Sequence, residues 1–198
     1  MIRRYARIKQ RGDTIIEVML AVSIFALLAS GTLAIMNQGT ATTIRTLEIT
    51  QARQSMNDQA ELLRYLQQSV VAGTAGPNKA TWDTIGTSYV VTKASPFGTS
   101  GGQCPASLPS YNPFVLFPSA GTISIQTNNV LYGNGGNSAY PRLQQNGGLY
   151  QGTYGLWVEA EKATSSQNYI DFHIRTCWYA PGSGQPITLG TIVRLMTS

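Results

Sequence analysis

The hydrophobic pattern of the chain opens with one long apolar run. Residues 18–36 carry no charge, and Ile15 and Ile16 extend the run to the other side of Glu17. About 22 residues at 1.5 Å per residue form a helix of roughly 33 Å, which is long enough to cross the hydrocarbon core of a membrane. Core helices of soluble proteins rarely stay uncharged over such a length. The pattern therefore predicts a transmembrane segment at about residues 15–36.

Helical spacing continues well beyond the apolar run. Residues 18–72 contain no proline, and Gly73, Gly76 and Pro77 then stop the helix. We therefore expect one helix over residues 13–72, whose upper half packs on the rest of the protein while its lower half requires lipid or the helices of sister copies. A membrane anchor with a spacer is the alternative. The apolar residues that recur at three- and four-residue steps are Ile44, Leu47, Met56, Leu62, Leu63, Leu66 and Val70.

After Gly73 the pattern changes to short alternating segments separated by Gly, Pro, Asn and Ser. This pattern is typical of a β-rich domain, which we assign to residues 73–198. Residues 122–126, the pair Asn128-Asn129 and residues 130–132 together indicate a hairpin. The predicted fold class is α+β, with the long N-terminal helix, transmembrane in its lower half, packed on an antiparallel β-sheet. Strands are predicted near residues 88–93, 114–117, 122–126, 130–132, 156–161, 169–179 and 188–196.

The predicted strand at residues 169–179 has the clearest alternation. One face carries the set Ile170, Phe172, Ile174, Thr176 and Trp178, and the other carries Asp171, His173, Arg175 and Cys177. Since the first set is mostly apolar, we expect it to pack on the N-terminal helix. The second set is expected on the outer face, with His173 as a solvated strand residue.

The positive charge of the chain is concentrated at its start. The formal net charge is +5, yet residues 1–12 hold five basic residues and no acid, which leaves nine Lys and Arg against nine Asp and Glu in the rest. A basic cluster before an apolar run holds the start of a membrane segment on the cytoplasmic side. Residues 73–198 hold six Lys and Arg against four Asp and Glu, a balance of only +2, so the charge does not indicate strong non-specific DNA binding. The five basic residues at positions 1–12 are Arg3, Arg4, Arg7, Lys9 and Arg11.

Two cysteines, Cys104 and Cys177, are separated by 73 positions. Such a separation excludes the CxxC motifs of redox and zinc sites. In an exported domain the two would form a disulfide that closes a loop of about 74 residues and stabilises the fold by about 4 kcal/mol. In a cytosolic protein they would be two separate buried thiols. The export signal favours the disulfide, which would hold the Pro- and Gly-rich loop at residues 94–113 over the sheet.

Glu17 lies at the inner edge of the apolar run and has two interpretations. Thr14-Ile15-Ile16-Glu17 fits a capping box, in which the glutamate accepts a hydrogen bond from a free backbone N–H at the helix start. An unpaired carboxylate inside a membrane also has an unfavourable free energy of solvation, so Glu17 is a candidate functional residue.

The stretch Arg11-Gly12-Asp13-Thr14-Ile15-Ile16-Glu17-Val18-Met19-Leu20 resembles the prepilin cleavage motif of type IV pilins and type II secretion pseudopilins. That family has a basic leader ending in Gly, a Glu fifth after the cut, and then a long apolar helix. The resemblance covers about the first 40 residues. It implies a pilin-like fold, a leader at residues 1–12 and cleavage by a prepilin peptidase between Gly12 and Asp13.

The resemblance also implies partners and a location. Glu17 would pair with the freed α-amino group of Asp13 in a neighbouring subunit, so the main partner is a pilin copy. The other implied partners are membrane lipid, the membrane platform and the assembly ATPase. The precursor would cross the cytoplasmic membrane once with its leader inside, and the filament would lie at the cell surface. Two features differ from the family: Asp13 stands where an apolar, N-methylated residue is usual, and the mid-helix proline is absent, which leaves Gly31-Thr32 as the weakest part of the helix.

A competing export route uses the same residues. Ala29-Ser30-Gly31 is a small-x-small site after an apolar core, as ordinary signal peptidase prefers. Cleavage there would release a secreted or surface-bound binding module that starts at Thr32.

The search for chemistry gives little support for an enzyme. The string Gly98-Thr99-Ser100-Gly101-Gly102 matches G-x-S-x-G, but neighbouring prolines predict a loop and not the strand and helix of a nucleophile elbow. His173 and Asp171 share a face without further metal ligands. We therefore predict no catalytic residue, metal or cofactor. Residues 133–157 mix Gly with Tyr140, Arg142, Tyr150, Tyr154 and Trp157, which would either stack on sugars or bases or pack locally.

Overall fold

The computed structural model has an α+β fold with one long N-terminal helix. The chain divides into two units, residues 1–43 and residues 44–198. The structure describes residues 14–73, 75–93, 104, 112–119, 121–127, 130–131, 142–146, 149–164, 166–180 and 184–197.

Helix α1 runs from Thr14 to Val71 and passes through both units. It ends within a residue of the predicted boundary, where the N–H of Ala72 donates to the carbonyl of Gln68 at 2.9 Å. The absence of proline permits this length, because each residue keeps its backbone N–H donor.

Helix α2 (Pro77–Thr84) and a π-helical turn (Ile85–Tyr89) follow, and nine strands complete the described elements. The strands are β1 (Val90–Val91), β2 (Val115–Ser119), β3 (Thr122–Gln126), β4 (Val130–Leu131), β5 (Arg142–Asn146), β6 (Leu149–Tyr154), β7 (Leu156–Glu161), β8 (Tyr169–Tyr179) and β9 (Pro186–Met196).

The largest sheet has the strand order β1-β7-β8-β9, and within it only β1 and β7 are parallel. Strands β2 and β3 form an antiparallel ribbon, and β4, β6 and β5 form a third sheet in that order.

The core of the second unit lies between α1 and the inner face of the four-stranded sheet. Alternate residues of β8 are fully buried there, which confirms the predicted apolar face of that strand. The helix supplies mostly small and branched apolar side chains to this core. The buried apolar residues of the helix are Ala52, Met56, Ala60, Leu63 and Leu66, and the buried residues on this face of β8 are Ile170, Phe172, Ile174, Thr176 and Trp178.

A side-chain amide ties the β2–β3 ribbon to the same helix. Gln59 is fully buried, and its Nε2 donates to the carbonyl of Leu116 while its Oε1 accepts from the N–H of Leu116, each at 2.9 Å. These bonds give the buried backbone N–H and carbonyl of Leu116 a partner on the helix. Gln59 therefore anchors the ribbon to α1, and Phe114, directly before β2, joins it to Val158 of β7 through two backbone hydrogen bonds of 3.0 and 2.8 Å.

The predicted hairpin of residues 122–126 with 130–132 is wrong. Strand β3 pairs with the preceding β2, and β4 instead lies parallel to β6. A short connection through Gly121, whose φ of 83° suits glycine, joins β2 to β3 and determines this pairing. Asn128-Asn129 lies outside the described residues.

Two further differences concern short elements. Of the predicted strand at 88–93, residues 88–89 belong to the π-helical turn, only Val90–Val91 is extended, and residues 92–93 form a bend. Helix α2 was not predicted; Pro77 occupies its first turn. Its Asn78 Oδ1 accepts from the N–H of Ile123 at 2.9 Å, and its Thr81 hydroxyl donates to the carbonyl of Ile123 at 2.7 Å. Tertiary contact with β3 therefore stabilises this helix.

Candidate assembly surface on the N-terminal helix

The first unit presents an apolar helix surface, which we define as residues 15–36 of α1. Thirteen large apolar side chains in this range are each 50–73% exposed. Such a large exposed apolar area marks a surface that another partner or a membrane covers. The thirteen are Ile15, Ile16, Val18, Met19, Leu20, Val22, Ile24, Phe25, Leu27, Leu28, Leu33, Ile35 and Met36.

The hydroxyl side chains of the apolar helix surface are satisfied within the helix. Ser23 Oγ donates to the carbonyl of Met19 at 2.7 Å. Ser30 Oγ and Thr32 Oγ1 donate to the carbonyls three residues earlier, at 3.0 and 2.9 Å. Because these hydroxyls need no water, the surface is chemically compatible with lipid or with another helix. The helix that carries it is long and apolar enough to cross a membrane.

Glu17 is the single charge of α1 before Arg45. It lies in the first turn of the helix, where the helix dipole favours an acid, and its side chain is exposed. Within the described part of the chain, no basic group lies within ion-pair distance of it. The side chain of Thr14 is not described, so the capping box stays a prediction.

Several predicted positions lie outside the described residues. They include the leader 1–12, Gly12 and Asp13 of the cleavage site, Ser100 of the G-x-S-x-G string, and Tyr140. The leader, the cleavage and the pairing of Glu17 with the terminus at Asp13 stay predictions.

A disulfide joins Cys104 to Cys177, the pair favoured from the sequence. Cys177 lies on β8 and is buried, and its N–H donates to the carbonyl of Gly155 at 2.8 Å. The N–H of Cys104 donates to the hydroxyl of Tyr179 at 3.4 Å. The disulfide therefore fixes position 104 beside the end of β8.

The outer face of the four-stranded sheet carries cross-strand contacts between acidic and basic side chains, and one of them, an ion pair, joins β8 to β9. Arg194 donates to both carboxylate oxygens of Asp171 at 2.7 Å, and its guanidinium lies 4.1 Å from the ring centre of Tyr169. The hydrogen bond from Arg194 lowers the pKa of Asp171 below its ordinary value. Bidentate geometry and the ring contact hold Arg194 flat against the sheet.

Two more pairs join β7 to β8. His173 Nε2 lies 3.0 Å from Glu161 Oε2, and the two side chains are only 16% and 26% exposed. The prediction of a solvated His173 is therefore wrong, because the register of β7 brings an acid beside it.

The second of these pairs is buried. Glu159 is fully buried, accepts from Trp157 Nε1 at 2.8 Å and lies 3.6 Å from Arg175 Nη1. Burial lowers the pKa of Arg175, although the charge of Glu159 acts in the opposite direction. The predicted solvent-facing side of β8 is thus covered around Arg175 and Cys177.

The ion pairs have the arrangement of a stabilising ladder. Asp171 and Arg194 lie directly opposite each other in the register. Glu159 and Glu161 each contact the base that lies diagonally across, two residues from their own register partner on β8. No group of three or more His, Cys, Asp or Glu that could hold a metal occurs among the residues described. The apolar helix surface is therefore the stronger functional candidate.

Comparisons with known proteins identify no relative from which a function could be transferred. No protein-family model matches the chain, and no curated protein or solved structure is significantly similar to it. The sequence around Glu17 and the uncovered apolar helix surface are therefore the observations from which function is inferred.

Proposed function

We propose that this chain is a non-enzymatic, pilin-like filament subunit. A prepilin peptidase would remove residues 1–12, α1 would hold the precursor in the cytoplasmic membrane, and the subunits would then polymerise through α1. The β-rich unit would be displayed at the cell surface. The observation that carries the proposal is the apolar helix surface, which bears one charge, Glu17.

Solvation supports a role for that surface in lipid and in a helix bundle. Burying a large apolar side chain contributes about 1.5–3 kcal/mol, so thirteen of them left in water would cost tens of kcal/mol. Lipid satisfies the surface before assembly, and sister helices satisfy it afterwards. Ser23, Ser30, Gly31 and Thr32 are small residues that allow such helices to approach closely.

The position of Glu17 supports the same function. Cleavage after Gly12 would create an α-amino group four residues before the glutamate, which is about one helical turn. A lone carboxylate in an apolar environment is strongly stabilised by an opposite charge, and the new α-amino terminus of a neighbouring copy would supply one. The carboxylate of Asp13 would share this pairing.

The disulfide supports export of the β-rich unit. Stable disulfides form in oxidising compartments and are rare in the cytosol. The basic residues at 1–12 would hold the leader inside while the unit that contains Cys104 and Cys177 crosses the membrane. This places the two ends of the chain on opposite sides of the membrane before cleavage.

The decisive experiment is mass spectrometry of the processed chain from membranes and from sheared filaments. We expect Asp13 as the N-terminal residue. Gly12→Val should block processing, whereas Gly31→Val should leave it unchanged. A Thr32 terminus, with the two variants reversed in effect, would refute the proposal and assign the chain to ordinary signal peptidase. Recovery of the chain with residues 1–12 attached, never associated with its own copies, would also refute it.

A further inference from the structure

Strand β9 forms an edge of the large sheet at which no other described strand pairs with its outward backbone groups. Strand β9 is the last strand in the order β1-β7-β8-β9, and its eleven residues pair with β8 in an uninterrupted register. The opposite edge, β1, has only two residues. Strand β9 is therefore the long edge of the sheet.

Hydrogen bonds at the C-terminal end of β9 show which residues face the open edge. The N–H of Thr197 donates to the carbonyl of Asn168 at 2.7 Å, so odd-numbered residues bond to β8. The carbonyl of Met196 points the other way, because it accepts from Gln67 Nε2 at 3.0 Å. In an antiparallel ladder this alternation continues along the strand. The residues that direct their N–H and C=O outward are Thr188, Gly190, Ile192 and Arg194.

The open edge lacks the usual protection against strand addition. Natural edge strands carry prolines, bulges or charged side chains that prevent pairing. In β9 the single proline is Pro186, at its start, and the single charge is Arg194, which Asp171 and the Tyr169 ring hold on the sheet face. Residues 190–192 are all exposed, so no described element covers the edge there.

The side chains beside this edge indicate what would bind. Ile192 and Met196 are 62% and 57% exposed and lie on the outer face with Arg194. Since Asp171 neutralises Arg194, the edge favours neither an acidic nor a basic partner. A row of N–H and C=O groups repeating every ~7 Å matches an extended backbone.

We propose that the open edge of β9 is a binding site for an extended, uncharged segment of another polypeptide, which adds as a fifth strand with apolar side chains at alternate positions. A second copy fits less well. In the register that places Ile192 opposite its equivalent, Met196 would face Thr188, so the apolar side chains would not meet. In the register that places Ile192 opposite Met196, the two copies of Arg194 would face each other, and like charges directly opposite are unfavourable. This inference is independent of the proposed filament function.

The test uses the full chain in detergent micelles and a blocked octapeptide of alternating Thr and Val. Hydrogen exchange should slow about tenfold or more at the amides of Thr188, Gly190, Ile192 and Arg194 when the peptide is added. The same peptide with every backbone nitrogen methylated cannot form the ladder and should have no effect. Equal protection by the methylated peptide, or none from the unmethylated peptide at about 1 mM, would overturn the proposal.

Protein variants test the same edge. Ile192→Pro removes an outward N–H and no bond to β8, so it should weaken peptide binding about tenfold, whereas Ile192→Thr keeps the N–H and should weaken it about threefold or less. The methylated peptide keeps the test valid should Ile192→Pro fail to fold. Protection that rises with protein concentration in the absence of peptide would instead assign the edge to a second copy and overturn the proposal.

Discussion

Trp178 on β8 donates its indole N–H to Glu48 on α1 across 3.1 Å, which joins two buried residues separated by 130 positions in the sequence. A buried tryptophan requires a hydrogen-bond acceptor for its indole N–H, and α1 places the carboxylate of Glu48 within hydrogen-bond distance. The bond therefore fixes how α1 and β8 pack within the second unit.

Removing the acceptor should destabilise the second unit. Glu48→Ala leaves the indole N–H buried and unpaired, so we expect the free energy of unfolding to fall by about 1–3 kcal/mol. Glu48→Gln keeps an oxygen acceptor and should cost less than about 1 kcal/mol. Thermal unfolding of the full chain in detergent micelles, followed by tryptophan fluorescence, measures both. Equal losses for the two variants would contradict a role for the hydrogen bond.

A second prediction concerns Gly155, between β6 and β7. Its φ is 55°, and a Cβ added there would overlap the carbonyl oxygen of Cys177. Gly155→Ala should therefore cost about 2–5 kcal/mol, since it combines a left-handed backbone with overpacking. Gly121 also has a positive φ but open space around it, so Gly121→Ala should cost only about 1–2 kcal/mol. Similar melting temperatures for the two variants would argue against the clash.

The ion pair of Asp171 with Arg194 should make stability depend on pH. Because the bond lowers the pKa of Asp171 in the folded state, its contribution is present above the ordinary value of 3.8 and is lost as pH falls through the lower folded value. The melting temperature of Asp171→Asn should therefore lie below that of the unaltered chain at pH 7. This difference should shrink between about pH 4 and pH 2. A constant difference over that range would refute the assignment.

The proposed assembly role of Glu17 predicts a separation of two phenotypes. Glu17→Ala should leave the amount of protein in membranes unchanged, because the remaining surface is still apolar, and should sharply reduce the amount in sheared filaments. Ser23→Ala, on the same helix, removes only a hydroxyl that bonds to its own backbone and should affect neither. Immunoblots of the two fractions measure both. Normal filament incorporation of Glu17→Ala would leave the glutamate only its capping role.

Long periodic segments were predictable from the sequence. Helix α1 and strand β8 are long enough for the helical and the alternating hydrophobic pattern, respectively, to be recognised. Strands β7 and β3 also have the predicted bounds. Strands β5 and β6 were missed, because Arg-Leu-Gln-Gln-Asn and Leu-Tyr-Gln-Gly-Thr-Tyr lack apolar alternation. Helix α2 was missed because its stability comes from contact with β3.

The outer face of the large sheet could not be predicted from one strand alone. The alternation of β8 places Arg175 and His173 outside, and that assignment to a face is correct. Their burial depends on Glu159 and Glu161, which reach them only through the register of β7 against β8. Register follows from tertiary pairing, and a single strand does not contain it.

The disulfide also has a chemical consequence that follows from its two unequal ends. Cys177 is buried, whereas Cys104 is partly exposed, so an attacking thiolate would reach the sulfur of Cys104 first. The leaving group would then be the sulfur of Cys177, and expelling it would create a negative charge within an apolar environment, which is costly. Mild thiol reductants should therefore reduce the Cys104–Cys177 disulfide slowly as long as the sheet around Cys177 stays folded.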